Sequence, residues 1–167
     1  MSILSRQSIA KRCSEQWMVR RLDNYPLSIE PVSIDIHLAE IELDGVIHRD
    51  GEIVLKPGIF CLGSVIETFR MPDDVVGFVE GKSTNAREGL QIEAAGLIDP
   101  GFCGDITLEL KNLHHEDEII LTPGESVGQV YFLKLDCPVD IPYGPGNHYQ
   151  GQRGVTRSHR KRESTCE

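Results

Sequence analysis

The amino-acid sequence predicts a mainly β fold, a jelly roll or distorted barrel with a few short helices. Residues 33–38 alternate strictly, with Ile34, Ile36 and Leu38 on one face of a predicted strand and three polar side chains on the other. Short apolar runs then follow one another along the chain, separated by Gly and Pro residues that favour turns. These turn signals are Asp50-Gly51, Pro57-Gly58, Pro72-Asp73-Asp74, Pro100-Gly101 and Pro123-Gly124.

Helical character is limited to two short segments. Residues 5–16 carry apolar side chains at roughly helical spacing after Ser5, a candidate N-cap. Residues 81–89, GKSTNAREG, predict one or two helical turns capped by Ser83 or Thr84. Backbone amides at such a helix start can cradle a phosphate, although the spacing alone favours an ordinary capped turn.

Two segments of similar sequence predict two similarly built hairpins. Residues 53–58 read IVLKPG and residues 119–124 read IILTPG. The similarity does not continue at a fixed short period, which argues against a solenoid. With 167 residues and 40% hydrophobic content, the chain has the size of one domain, which we assign to residues 1–152. Residues 153–167 lack apolar periodicity, and we expect a flexible C-terminal lid or tail, mobile without a ligand.

The charge distribution argues against nucleic acid as a partner. The net charge is −9, yet residues 153–167 hold five of the 17 Lys and Arg residues and two of the 26 Asp and Glu residues. The rest of the chain therefore carries 12 − 24 = −12. Such an acidic body repels a nucleic-acid backbone, which argues against nucleic acid as a partner, while a small anionic ligand remains compatible.

The sequence also argues against a membrane protein and against a zinc site. No apolar stretch reaches the roughly 20 residues that a membrane-spanning helix needs, and the start of the chain lacks the apolar block of a signal peptide. We therefore expect a soluble, cytoplasmic protein without a membrane partner. The five cysteines form no C-x-x-C pair, which predicts reduced thiols. The His-x-Glu and Pro-Cys-x-x-Cys signature of the zinc deaminases is missing.

Several ordered motifs together resemble the dCTP deaminases. Residues 79–90 read VEGKSTNAREGL, residues 94–102 read AAGLIDPGF and residues 104–112 read GDITLELKN. The segments PVSID at residues 31–35 and YQGQRG at residues 149–154 resemble the N-terminal strand and the C-terminal lid of that family. The resemblance covers nearly the whole chain.

The resemblance implies a dUTPase-like homotrimer with three sites at subunit interfaces, each closed by a C-terminal segment. The implied reaction is hydrolysis of the 4-amino group of dCTP to give dUTP and ammonia. Mg²⁺ would accompany the triphosphate and take no part in the ring chemistry, and no zinc would be needed. dCTP and dUTP are the implied ligands, with dTTP as an inhibitor.

Glu109 is the candidate that handles protons at the cytosine ring. In the predicted strand Ile106, Leu108 and Leu110 share one face, which leaves Glu109 beside Thr107 on the other. A carboxylate can take a proton from water and pass it to the ring nitrogen and then to the departing ammonia. A lone strand glutamate usually faces solvent, but the resemblance assigns this one to the site.

The resemblance assigns the other site residues as well. Ser83 would orient the attacking water and the phosphates, Arg87 would offer a planar fork of donors, and Lys82 would bind phosphate as a point charge. Asp99, in a predicted tight bend, would accept the 3′-hydroxyl of deoxyribose. The catalytic set is Glu109, Ser83, Arg87 and Asp99, and the substrate-binding set is Lys82, Thr84, Ala95, Thr107, Tyr143, His148, Tyr149 and Gln152.

The predicted lid has one unusual residue. Gln152 matches the glutamine whose amide reads the base edge, while His148 stands where the family usually has a phosphate-binding lysine. A neutral imidazole would bind the triphosphate less well, so we expect the Michaelis constant to depend on pH near neutrality, and the His148→Lys variant to lose that dependence.

The sequence leaves the product and the regulation of the reaction open. Between Arg87 and Asp99 the chain is one residue shorter than the family pattern, and Ala94 replaces a common threonine in the loop implicated in dTTP inhibition. Gly96 resembles bifunctional enzymes that continue to dUMP and diphosphate, although dUTP is our preferred product. The motifs are also compatible with a non-catalytic nucleotide-binding regulator and with a dUTPase that lacks deaminase activity, although Glu109 argues against this dUTPase.

Overall fold

The computed structural model describes residues 2–92 and 95–160, and it confirms the mainly β architecture. The helices in this part of the chain are α1 (Arg6–Gln16) and α2 (Ser83–Arg87). The strands are β1 (Ser2–Ile3), β2 (Val19–Arg21), β3 (Ser33–Leu43), β4 (Val46–His48), β5 (Ile53–Leu55), β6 (Phe60–Arg70), β7 (Val75–Gly81), β8 (Leu90–Gln91), β9 (Leu97–Ile98), β10 (Cys103–Asn112), β11 (Ile119–Leu121) and β12 (Ser126–Lys134).

Most strands belong to one antiparallel sheet that curls into half a barrel. The main path runs β8-β10-β6-β3-β12-β7-β9, with β1 added to β12, β2 to β6 and β4 to β3. β10 therefore lies beside β6, and β6 lies beside β3. This order brings one end of each of these three strands to the same part of the molecule, where the cavity described below is found.

The core lies on the inner face of the curled sheet. The apolar side of the predicted strand at residues 33–38 is fully buried, as expected. On the polar side Ser33 and Asp35 are also buried, at 4% and 7% exposure, and His37 is partly buried. Ser33 donates a hydrogen bond to Gln129 on β12, at 3.1 Å. The alternation predicted the strand correctly, but it did not predict that both faces are covered.

The prediction of two separate hairpins at residues 53–58 and 119–124 is wrong. β5 and β11 instead pair with each other, antiparallel, in a two-stranded sheet of their own. Leu55 lies opposite Ile119, and Ile53 lies opposite Leu121. The two segments are similar because each supplies the same kind of strand to one shared pair. The predicted turns after them are confirmed, since Gly58 and Gly124 have φ values of 72° and 98°.

The two helices occur where the sequence predicts them, but only α1 begins after the expected cap residue. α1 follows Ser5, whose side chain makes no capping hydrogen bond, and ends at Trp17 in the left-handed conformation. The residue that caps α2 is Lys82, also without a side-chain bond, so the expectation that Ser83 or Thr84 caps this helix is wrong. No helix in the described ranges is long and apolar enough to cross a membrane.

Candidate active site

A cavity of about 1270 Å³ lies against β10, the start of β6 and the end of β3. The loop around residues 95–102 and the C-terminal segment complete its lining. The structure brings together seven of the residues that the sequence assigns to the site. These are Ala95, Asp99, Thr107, Glu109, Tyr143, Tyr149 and Gln152.

Glu109 reaches the cavity because β10 alternates as predicted. Ile106, Leu108 and Leu110 are buried in the core, with exposures of 9%, 1% and 0%. Thr107 and Glu109 lie on the opposite face, are partly buried and line the cavity. The carboxylate is thus held on a long strand, where the backbone is fixed by pairing with β6. It is placed to exchange protons with a ligand in the cavity.

Asp99 stands at the tight bend that the sequence predicts. The amide of Phe102 donates to the carbonyl of Asp99 at 3.1 Å, and Gly101 has a φ of 87°. A Cβ on Gly101 would lie 2.6 Å from the carbonyl oxygen of Tyr143, so the bend and residue 143 can approach only because glycine is present. The amide of Tyr143 also donates to the carbonyl of Pro100, at 2.8 Å. This contact brings the Tyr143 ring to the cavity.

The C-terminal segment crosses β10 beside the cavity. The amide of Gly151 donates to the carbonyl of Cys103 at 2.7 Å, and Gln152 Nε2 donates to the carbonyl of Asp105 at 2.6 Å. Farther along, the amide of Thr156 donates to Thr107 Oγ1 at 3.1 Å. Residues 149–157 therefore lie on the strand that carries Glu109. That residues 153–167 move when no nucleotide is bound stays a prediction, and residues 161–167 lie outside the described residues.

Two acidic residues of β3 hold the same segment. Glu40 Oε1 accepts a hydrogen bond from the amide of Val155 at 2.8 Å. Glu42 forms an ion pair with Arg157 at the mouth of the cavity, with Arg157 Nε at 2.7 Å from Glu42 Oε2. The hydrogen bond from Arg157 lowers the pKa of Glu42, and the same bond raises the pKa of Arg157. Both groups therefore stay charged in the docked state.

The sequence did not single out the part of the lining that β3 and β6 supply. Phe60, Cys61 and Leu62 at the start of β6 and Glu42 on β3 all face the cavity. Burial, followed by the charge of Glu42, raises the pKa of Cys61 to about 12, so this thiol is a packing group rather than a nucleophile. No motif marks these residues, because their place depends on the strand order and not on local sequence.

The residues on and before α2 do not join this cavity. Ser83, Thr84 and Arg87 are exposed, and none of them lines it. Lys82 is engaged elsewhere, since its Nζ lies 2.5 Å from Asp35 Oδ2. The helix is attached to β12 through Asn85, whose Nδ2 donates to the carbonyl of Val127 at 3.1 Å. Within one chain, α2 and Lys82 therefore lie apart from the cavity that Glu109 lines.

His148 also lies outside the lining and is exposed. Its ring stacks near that of His159, with centroids 6.2 Å apart. Ala94, the position where a threonine is common, lies outside the described residues.

A magnesium ion at this site would depend on the triphosphate for most of its ligands. Among residues 2–92 and 95–160, no group of three or more His, Cys, Asp or Glu side chains is arranged to hold a metal ion by itself. Mg²⁺ is commonly held by one or two carboxylates together with phosphate oxygens and water.

Comparisons with known proteins identify the family of the chain. A family model described as dCTP deaminase-like matches residues 45–135. A Mycobacterium leprae protein named "dCTP deaminase, dUMP-forming" is 52% identical over 114 residues, which cover 65% of this chain and 60% of that protein. The chain thus spans about 60% of the length of this relative. A Haloarcula marismortui protein named "dCTP deaminase" is 37% identical, and the match covers 93% of each chain.

The fold has a counterpart among solved structures. The crystal structure of 2′-deoxycytidine 5′-triphosphate deaminase from Agrobacterium tumefaciens superposes with a TM-score of 0.68 at 16% identity. The match covers 78% of this chain and 47% of that one. At this identity the likeness concerns the fold, and it confirms the distorted barrel that the sequence predicts.

Proposed function

Because the chain belongs to the dCTP deaminase-like family, we propose that it hydrolyses the 4-amino group of a deoxycytidine nucleotide, dCTP. The observation that carries this proposal is the position of Glu109, held on β10 and facing a cavity beside the C-terminal segment. The zinc-deaminase signature is missing from the sequence, so a side chain has to activate the attacking water without zinc. A cytoplasmic location, among free deoxynucleotides, is part of the proposal.

The proposed chemistry needs one group that takes and returns protons. Glu109 removes a proton from water as the water oxygen forms a bond to C4 of cytosine, and it delivers this proton to N3. It then takes the hydroxyl proton of the tetrahedral intermediate and passes it to the exocyclic nitrogen. The C4–N4 bond breaks, ammonia leaves, and the base becomes uracil. Thr107 and Gln152, which line the same cavity, would hold the base edge during these steps.

The sugar would be selected by Asp99 and the aromatic residues. The carboxylate of Asp99 would accept the 3′-hydroxyl, and the rings of Tyr143 and Tyr149 would enclose the nucleotide, with Ala95 at the base pocket. These side chains are positioned by the bend at Gly101 and by the bond from the amide of Tyr149 to the Tyr143 hydroxyl, at 3.0 Å.

The phosphate side of the site would come from a neighbouring subunit of a homotrimer. This step is supported by the exposure of Ser83, Thr84 and Arg87 and by their absence from the cavity that holds Glu109. In a trimer, α2 of one subunit would face the cavity of the next and supply these donors, together with Lys82. His148 would add a further contact, and part of the phosphate charge would be neutralised by magnesium bound through the triphosphate.

A second candidate function is deamination followed by release of diphosphate. Asp99 would then also activate a water that attacks the α-phosphorus, giving dUMP. Two observations favour it over the dUTP-forming interpretation. The Mycobacterium leprae relative is named dUMP-forming, and Gly96 is the residue that resembles the bifunctional type. The following experiment distinguishes these two candidate functions from a dUTPase without deaminase activity and from a non-catalytic regulator.

The test is to incubate the pure protein with dCTP or dUTP and magnesium, and to measure ammonia, dUTP, dUMP and diphosphate. Ammonia with dUTP alone indicates a deaminase, and ammonia with dUMP and diphosphate indicates the bifunctional enzyme. Glu109→Gln should abolish ammonia release while the protein still binds dCTP. Glu118→Gln, the same change on an exposed loop, is the matched control. Absence of ammonia from the wild-type protein would overturn the proposal.

A further inference from the structure

We propose that Asp105 is a positioning residue that holds the C-terminal segment, and with it Gln152, in place beside Glu109. The inference rests on the proposed function and adds Asp105, which would act by positioning Gln152. Asp105 does not line the cavity, so it does not act on the substrate itself.

Four polar groups of Asp105 bind three consecutive residues of the segment. Its backbone amide donates to the carbonyl of Gln152 at 3.1 Å, and its carbonyl accepts from Gln152 Nε2 at 2.6 Å. Its Oδ1 accepts from Arg153 Nη1 at 2.8 Å, and its Oδ2 accepts from the amide of Gly154 at 3.0 Å. Arg153 Nη1 also donates to Thr68 Oγ1 on β6, at 2.6 Å.

A carboxylate is needed at this position because both of its oxygens act as acceptors. The Asp105 side chain is only 7% exposed, and a buried charge is costly unless it is paired and hydrogen-bonded. Docking of the segment supplies both a cation, from Arg153, and a backbone donor, from Gly154. An amide in place of the carboxylate has one acceptor oxygen, so one of these two donors would lose its partner.

The contact also fixes the orientation of the Gln152 amide. A backbone carbonyl can only accept, so the group that faces the carbonyl of Asp105 must be the NH₂ of Gln152. The Oε1 of Gln152 and its second N–H are thereby left for other partners. The close approach depends on Gly104, where a Cβ would lie 2.9 Å from the carbonyl oxygen of Gln152.

β10 connects this contact to the proposed chemistry. Asp105, Thr107 and Glu109 occupy every second position of the strand, whose pairing with β6 shifts register between Asp105 and Thr107. The first two bind the C-terminal segment, through Gly154 and Thr156, and the third lines the cavity. At about 3.3 Å per residue, Asp105 is roughly 13 Å from Glu109 along the strand. The segment is therefore anchored on the rigid element that carries the proposed catalytic carboxylate.

The first experiment measures docking without reference to activity. Hydrogen exchange of the peptide that contains residues 150–157 is compared in the wild type, Asp105→Asn and Asp74→Asn. Asp74 also accepts two hydrogen bonds from an arginine, Arg12, but lies outside the cavity lining, so its variant controls for the loss of an ion pair. We expect faster exchange of this peptide only in Asp105→Asn. Unchanged exchange in Asp105→Asn would overturn the positioning role.

The second experiment measures the effect on the reaction with dCTP. If the Asp105 carboxylate favours the docked segment, its loss lowers the fraction of binding-competent protein and raises KM by about tenfold. Saturating dCTP restores the docked state, so kcat changes little. A general loss of folded protein would instead lower kcat at constant KM. Arg153→Lys should stay close to the wild type, because one ammonium can donate to both Thr68 and Asp105, whereas Arg153→Met should resemble Asp105→Asn.

Different results would overturn the positioning role of Asp105 and the proposed deaminase function. A wild-type KM in Asp105→Asn, or equal KM values in Arg153→Lys and Arg153→Met, would overturn the positioning role even if the protein is an active deaminase. A wild-type protein that releases no ammonia would overturn the proposed function, and the exchange rates of residues 150–157 would still decide whether Asp105 holds the segment.

Discussion

The side chain of Asn112 is expected to be one of the main polar contributors to stability. It lies at the end of β10 and is fully buried. Its Nδ2 donates to the carbonyls of Leu55, at 2.8 Å, and Asp117, at 2.9 Å. Its Oδ1 accepts from the amide of His114 at 2.8 Å. These three bonds connect β10 to β5 and to the loop that leads into β11.

The Asn112→Ala substitution removes all three bonds and leaves three backbone groups without these partners. At about 1 kcal/mol for each hydrogen bond, the free energy of unfolding should fall by about 3 kcal/mol. For a chain of this size that loss corresponds to a decrease in Tm of about 6 to 12 °C. Asn112→Asp should be at least as destabilising, since it places an acceptor against the two carbonyls.

The assay is urea unfolding together with thermal unfolding, both at one fixed protein concentration because assembly would also stabilise the fold. Asn147→Ala, at an exposed asparagine, is the control and should change stability by no more than about 0.5 kcal/mol. A loss below about 1 kcal/mol in Asn112→Ala, no more than one ordinary hydrogen bond, would refute the reasoning.

Three further predictions concern parts of the fold away from this residue. Two hydrogen bonds from Arg12 lower the pKa of Asp74. The pair therefore stabilises the fold at pH values above the unfolded-state pKa of this carboxyl, and this stabilisation is lost as pH falls through the folded-state pKa. Asp74→Asn should therefore cost about 1 kcal/mol in urea unfolding at neutral pH, and the difference should vanish in acid. Exposed Cys137 should be alkylated by iodoacetamide in the native protein while Cys61, whose pKa burial raises to about 12, is spared, as peptide mass spectrometry will show. Gly128→Ala should lower the free energy of unfolding by about 1 to 3 kcal/mol, because the added Cβ would lie 2.5 Å from a buried isoleucine side chain and 3.0 Å from a carbonyl oxygen.

The features that the sequence predicts well are those with a local cause. The alternation around Glu109 depends only on the two-residue period of a strand, and the structure confirms it. The bends at Gly58, Gly101 and Gly124 depend on a residue that tolerates positive φ, and each has it. The first helix is also confirmed, since its boundaries depend on a short run of neighbouring residues.

The features that the sequence does not predict depend on distant partners. The β5 and β11 segments carry the same pattern whether they form two hairpins or one shared pair, so only the completed fold distinguishes these arrangements. The contribution of Phe60 and Glu42 to the cavity follows from β6 lying between β10 and β3. Likewise, the burial of Asp35 and its ion pair with Lys82 require a contact across 47 residues of chain.

The uneven charge of the sequence has an intramolecular explanation in the structure. The acidic body argues against nucleic acid as a partner, and in the folded protein it contacts the basic end of the chain. Arg153 pairs with Asp105, and Arg157 pairs with Glu42. Both pairs involve a largely exposed cation that salt screens, and the Asp105 carboxylate also receives the amide of Gly154 from the segment itself. The charge difference thus attracts the segment to β10 in general, and Asp105 is the residue that determines where along the strand it is held.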